Sequence, residues 1–391
     1  MEIVTEIALN INKIAPELSA LNKLSQPAIE RSITINDSMG TPNLYIFNFK
    51  GDGYAIFSAD ERYQPLLALV KKGKFEAREA SSGLLDWLDI TMEGINYAKR
   101  DNKVRFETGK LWRKAFKDAA ITEFAKTIDE PMEECCPSCP NYPACLSDPF
   151  IGCGDPNACA DPCGTYTYIQ KGPYLQSQWG QWVGYNNLCP NFSCPTITTC
   201  GSFSNTNVPS GCVATAVAQV MRYWSKPTYY NFSGMPDDNR CIQNIAVPTL
   251  IRDVANSVSM SWDCSGSGAD LDKVPNALKN NFSYGNANYA SSYSQDILLA
   301  ELNKGFPVIL GGYRTRTLIW PIYVYKNGHA WVCDGYYRYY NNCYGYLYLH
   351  MNWGWDGTDN GWFAYNNWTN SQGNYQYKQD MVYNINPSRR F

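Results

Sequence analysis

Histidine is nearly missing from this 391-residue chain, which holds two, His329 and His350. Chemistry that needs an imidazole is therefore confined to two positions. Cysteine is absent from the first 134 residues, although the chain contains 15. Strong charge of either sign is missing too. The 33 basic and 36 acidic residues leave a formal charge of −3, without the basic footprint that a nucleic-acid partner requires. No apolar run approaches the roughly 18 residues of a membrane-spanning helix; the longest stretches, such as 63–70, are short and interrupted. The opening MEIVTEIALNINKIAPELSA lacks a basic start followed by a continuous apolar stretch, so no signal peptide is read in the sequence as written.

Hydrophobic residues make up 45% of the chain, which predicts packed cores rather than disorder, and the length suits two domains or one with a large appendage. Seven of the cysteines fall between Cys135 and Cys163. That density points to disulfides and an oxidising compartment. An odd total leaves a thiol over unless it bridges another molecule, and fourteen paired with one free is the simplest arithmetic for 15 cysteines.

Three regions differ in character. In the first, to about Glu130, NLYIFNF (43–49) alternates as a strand, GDG (51–53) reads as a hairpin turn, and YAIFS (54–58) returns beside it. Leu66–Val70 is a third strand, Leu84, Leu88, Met92 and Ile95 share a helical face, and Lys103–Phe124 is a second amphipathic stretch. The second region, Pro131–Gly164, is broken by prolines and reads as a disulfide-held joint. Beyond it, GCVATAVAQVMRYW (211–224) is the clearest helix, with Pro227 after its end. Leu271–Lys279 and Gln295–Asn303 are shorter helices. Strands are expected at Phe306–Leu310, Ala330–Asp334, Gly345–Asn352 and Gly361–Tyr365. A helix followed by several strands predicts an α+β fold with helices on one side of a largely antiparallel sheet.

Of the histidines, His350 lies within the alternating YLYLHMNW and reads as a structural strand residue, whereas His329 follows Asn327-Gly328 at a strand opening, where a side chain can face a cleft. Cys212 opens the clear helix behind Ser210-Gly211. Backbone N–H groups there favour a thiolate, and the glycine permits close substrate approach. On position alone Cys212 is either a nucleophile or one more half-cystine. Cys135, Cys136, Cys139 and Cys145 have zinc-like spacing, but the segment is proline-broken and has no histidine, so disulfides are the simpler reading and no metal or cofactor is expected.

SGCVATAVAQVMRYWSKP (210–227), GHAWVCDGY (328–336) and MNWGWDGTDNGWF (351–363) together closely resemble the streptopain family of bacterial papain-like proteases. GPYLQSQWGQWVGYNNLCP (172–190), GSGADLDKVPNALKNNFSY (266–284) and ELNKGFPVILGGY (301–313) extend the match in the family's order, and 43–69 looks like such an enzyme's inhibitory propeptide. The resemblance implies a papain-like fold, with a helical part and an antiparallel sheet, preceded by a small α+β propeptide domain. It divides the chain into an inhibitory domain (1–130), the cysteine-rich joint (131–168) and a catalytic domain (169–391). Carried over, the nucleophile falls on Cys212, the general base on His329 and the oxyanion-hole glutamine on Gln181. Trp353 is expected to cover and orient His329, and Asn352 is a candidate orienting residue whose side chain points elsewhere if Trp353 faces the histidine. Gly211, Gly328 and Trp355 are expected around the cleft. The implied function is a cysteine endopeptidase made as a zymogen, secreted by or displayed on a bacterium, acting on proteins or peptides and held by its own propeptide. A non-enzymatic binding module on the same scaffold is disfavoured, because Cys212, His329 and Gln181 are all retained. Two departures stand out: the cysteine-rich joint, and Asp356 where the family motif usually has glycine.

Overall fold

The alternating segments of the N-terminal region pair as their pattern predicts. In the computed structural model, which describes residues 2–14, 28–76, 82–101, 112, 115, 167–319, 322–340, 345–365 and 380–387, β1 (Ile29–Asn36), β2 (Pro42–Phe49), β3 (Tyr54–Ser58) and β4 (Leu66–Val70) form an antiparallel meander. Gly51 and Gly53, with φ of 90° and 83°, make the predicted turn between β2 and β3. Helices α1 (Glu2–Leu9) and α2 (Ile11–Ile14) precede the meander, and α3 (Ser82–Asp101) follows it, with Leu84, Leu88 and Ile95 buried. The expected helix at Lys103–Phe124 and the joint at Pro131–Gly164 fall outside the described residues, apart from 112 and 115.

The C-terminal region begins with β5 (Thr167–Lys171) and a small hairpin, β6 (Ile197–Thr199) with β7 (Phe203–Asn205). Then come α4 (Cys212–Trp224), α5 (Ala246–Ser257), a 3₁₀ turn at Leu271–Lys273 and α6 (Val274–Asn281). Strand β8 (Asn286–Ala290) and helix α7 (Gln295–Asn303) lead into β9 (Val308–Ile319), β10 (Ile322–Tyr340), β11 (Gly345–Asn352), β12 (Gly361–Ala364) and β13 (Asp380–Asn386). The small side chains of ATAVA let α4 lie close against its neighbours. Residues 213–221 of this helix are all buried, in one core with α5, α6 and the facing side of the sheet.

Strand order is β1-β2-β3-β4-β12-β11-β10-β9-β13-β8, with β5 alongside the far half of β10. The two sequence regions therefore share one sheet, joined where β4 pairs antiparallel with β12, Gly361 opposite Val70 and Phe363 opposite Ala68. Gly361 is required at the seam, since a Cβ there would lie 2.6 Å from the Leu69 carbonyl oxygen. Both faces of the seam are covered. Leu67, Tyr54 and α3 share a core with Trp353 and Phe363 on one face, and Leu69 and Phe57 pack with Trp362 and Ile7 on the other. At about 1.5–3 kcal/mol for each large side chain buried, the N-terminal region is an integral part of this fold.

Candidate active site

Helix α4 begins at Cys212, and the chain enters it through Gly211 at φ 86°. A Cβ at Gly211 would sit 2.7 Å from the Met260 side chain and 3.0 Å from the Ser267 carbonyl oxygen, so both conformation and space demand glycine. Cys212 is partly buried. Burial raises its thiol pKa, while the backbone N–H groups of Ala330, Val213 and Cys212 itself act in the opposite direction.

His329 lies on β10 opposite Gly312 of β9 and is 6% exposed. Its Nε2 is 2.8 Å from the Trp353 carbonyl oxygen. A carbonyl only accepts, so Nε2 carries the proton and Nδ1 keeps the lone pair of a base. Burial lowers the imidazole pKa to about 4, with the Trp353 carbonyl opposing it. With thiol and imidazole both pushed toward their neutral forms, this enclosed arrangement disfavours the ion pair.

Gln181, Cys212, Gly328, His329 and Trp355 line a single cleft of about 770 Å³. The segment carrying Gln181 is tied to helix α4: the Gln181 carbonyl accepts from the Ser210 N–H at 2.9 Å, and the Thr215 hydroxyl lies 3.1 Å from the Gly180 carbonyl. Among the described residues no group of three or more His, Cys, Asp or Glu side chains converges as a metal site.

The ring stacked on His329 is Trp331, 6.1 Å away and inclined by 15°, with Trp355 edge-on at 6.3 Å. The Trp353 indole, expected over the imidazole, instead packs inward against Trp331 and Phe363 and donates Nε1–H to the Asp359 carbonyl at 3.0 Å. Trp353 reaches His329 through its main chain. The Asn352 amide is engaged with Gln219 and the Ser177 carbonyl. Trp331 went unnoticed in the sequence, although residues two apart on a strand share a face and His329 and Trp331 stand in that relation. His350 sits in its strand with Nδ1 2.6 Å from Asp334 Oδ1 and does not line the cleft.

The expectation of one free thiol is corrected: among the described residues Cys189, Cys212 and Cys333 are free, beside the disulfides Cys194–Cys264 and Cys200–Cys241. Burial raises the pKa of Cys189 to about 12 and moves Cys333 in the same direction, and neither lines the cleft. Asp356, at the motif's usual glycine, has φ 57°, the conformation for which glycine is ordinarily chosen.

A thiol at a helix start and a carbonyl-anchored imidazole, joined in one cleft of an α+β protein, define the class of papain-like cysteine peptidases. Residues 179–233 and 228–363 match the Peptidase C10 family, and residues 7–95 match the Spi protease inhibitor family. Streptopain of Streptococcus pyogenes is 22% identical over 379 residues, 85% of this chain and 76% of that protein. Thiol protease/hemagglutinin PrtT of Porphyromonas gingivalis is 26% identical over 389 residues, 88% of this chain but 37% of that larger protein. The fold is shared with a prointerpain A fragment of Prevotella intermedia, a cysteine-to-alanine mutant, at a TM-score of 0.54 and 20% identity over 92% of this chain and 99% of that one. The chain belongs to the streptopain (peptidase C10) family and is a cysteine peptidase in zymogen form.

Proposed function

We propose that the protein is a secreted endopeptidase in which Cys212 is the nucleophile and His329 the base, acting on peptide bonds of proteins. The observation that carries this reading is the meeting of the α4 N-terminus, the Trp353-anchored imidazole and Gln181 in one cleft. Once the cleft opens, His329 Nδ1 takes the thiol proton and the thiolate attacks the scissile carbonyl carbon. The tetrahedral oxyanion accepts hydrogen bonds from the Gln181 side-chain amide and the Cys212 N–H. His329 then returns its proton to the departing amine, leaving a thioester, and subsequently deprotonates the water that hydrolyses it. The reaction needs no metal or cofactor. The two disulfides favour an oxidising, extracellular location.

Residues 1–130 act as the inhibitory propeptide, 131–168 as the cysteine-rich joint and 169–391 as the catalytic domain, with the activating cut between Lys110 and Tyr168. The Lys72 Nζ of the propeptide donates to the Gln178 Oε1 at 3.1 Å and to the Asp356 carbonyl at 2.8 Å, clamping the segments that lead to Gln181 and follow Trp355. The test is peptide hydrolysis by the purified full chain. The wild type gains activity as the N-terminal region is cleaved, and Cys212→Ala stays inactive even when cleaved by added wild-type enzyme. Full activity of Cys212→Ala overturns the reading.

A further inference from the structure

We infer that Gln219, which touches no reacting group, is a positioning residue that sets the orientation of both His329 and the Gln181 arm through an amide pair with Asn352. This inference rests on the Cys212–His329 reading. Gln219 lies on α4 seven residues after Cys212, on the same face and about 10 Å along the axis, and it is fully buried. Its Nε2 donates to Asn352 Oδ1 at 3.2 Å, and its Oε1 accepts from Asn352 Nδ2 at 3.2 Å, closing a two-bond ring between the amides.

Each amide of the ring also holds an arm of the site. Gln219 Oε1 accepts the Trp179 N–H at 3.1 Å, two residues before Gln181, and Asn352 Nδ2 donates to the Ser177 carbonyl at 2.8 Å. On the other side, Asn352 Oδ1 accepts the Gly354 N–H at 3.2 Å. That N–H belongs to the same planar peptide unit as the Trp353 carbonyl that accepts from His329 Nε2. Fixing the N–H end of the unit fixes its carbonyl end. Gly354, at φ 70°, gives the unit no side-chain restraint of its own. Without the amide ring, the peptide unit can rotate and carry the imidazole's anchor with it, and the Trp179 N–H is left without its acceptor.

The cleft residues that would contact substrate are not part of this ring. Loss of Gln219 is therefore expected to reduce turnover more than substrate binding. The test uses enzyme matured from the full chain, with active sites titrated. Gln219→Met keeps length and volume but removes every bond. It is expected to lower kcat about 10–100-fold with KM changed less than about twofold. The pH profile of Cys212 alkylation by iodoacetamide is expected to move up by about one unit, because a misaligned imidazole stabilises the thiolate less. Gln219→Glu keeps the acceptor for Trp179 and loses the donor to Asn352. It should give a smaller loss in the same direction, and it carries the test if the methionine variant does not fold. The inference is overturned if a folded variant keeps wild-type kcat and alkylation profile, or if only its melting temperature falls. If wild-type Cys212 itself is not alkylated in step with inactivation, the underlying catalytic reading fails instead.

Discussion

Asp359 offers a quantitative handle on how the precursor is held together. It lies between β11 and β12, 2% exposed, and its N–H donates to the Lys72 carbonyl at 3.1 Å. Gly73 of the N-terminal region packs so closely that a Cβ there would be 2.9 Å from Thr358 Cγ2 and 3.5 Å from Asp359 Oδ1. The Tyr54 hydroxyl faces the same carboxyl. Burial raises the Asp359 pKa to about 7, with the nearby Tyr54 hydroxyl opposing the rise. An unfolded Asp titrates near ~3.9 and each unit of difference is worth about 1.4 kcal/mol, so a shift of roughly three units sets a ceiling of about 4 kcal/mol. Because the folded value is the higher one, the full stability is present below about pH 4 and is lost as pH rises toward about 7, where the buried group finally ionises. Urea unfolding of the full-length Cys212→Ala chain, with and without Asp359→Asn, measures this. Asparagine imitates the protonated carboxyl and tolerates the φ of 63°. The stability gap between the two chains should widen from near zero at pH 4 toward that ceiling at pH 7.5, and Asp356, raised by burial to about 6, adds to the acid preference of both. Parallel stability curves across this range would refute the linkage.

Two other perturbations follow from the seam and the covalent frame. Lys72→Met removes two hydrogen bonds and a 3.9 Å ion pair to Asp238 whose partners are about one-third exposed. The ion pair is worth less than about 1 kcal/mol and the hydrogen bonds about 1–2 kcal/mol together, so conversion of precursor to mature enzyme on gels should quicken about tenfold. An unchanged time course would show that Lys72 does not hold the cleft shut. Cys194→Ser with Cys264→Ser opens a link spanning 70 residues, for which chain entropy allows a loss of up to about 4 kcal/mol. Denaturant melts of the variant should shift accordingly while titrated active sites retain wild-type kcat, and a large kcat loss would instead place this bridge in the catalytic geometry.

The elements legible in the sequence were those with one dominant pattern. Alternation located β2, the GDG turn and the apolar runs YAIFS and LLALV located β3 and β4, and the small-residue apolar face located α4, which begins at Cys212. Gln295–Asn303 and Gly345–Asn352 also appear with the expected bounds. Helix α5 was missed because Pro248 punctuates its first turn, a place where proline is tolerated, and β1 because its side chains are largely exposed and give little alternation. Strand β10 was seen only as Ala330–Asp334, although it runs from Ile322 to Tyr340 beside β9, β11 and β5. Within the site, Cys212, His329 and Gln181 were readable as side chains at motif positions. The Trp353 contact was not, because it is made by a carbonyl, and side-chain identity says nothing about where a peptide plane points. Gln219 lay inside the α4 motif all along, and only the packing of Ser177, Trp179 and Asn352 around it gives it a purpose.

Selective labelling of Cys212 tests the central claim most directly. The chain is matured under mild reduction and treated with an epoxide inactivator of cysteine peptidases, and the adduct is located by mass spectrometry as residual activity is followed. One adduct per molecule on Cys212, formed in proportion to lost activity and suppressed in His329→Asn, is the predicted result. Inactivation without modification of Cys212, or with the adduct on Cys189 or Cys333, contradicts it.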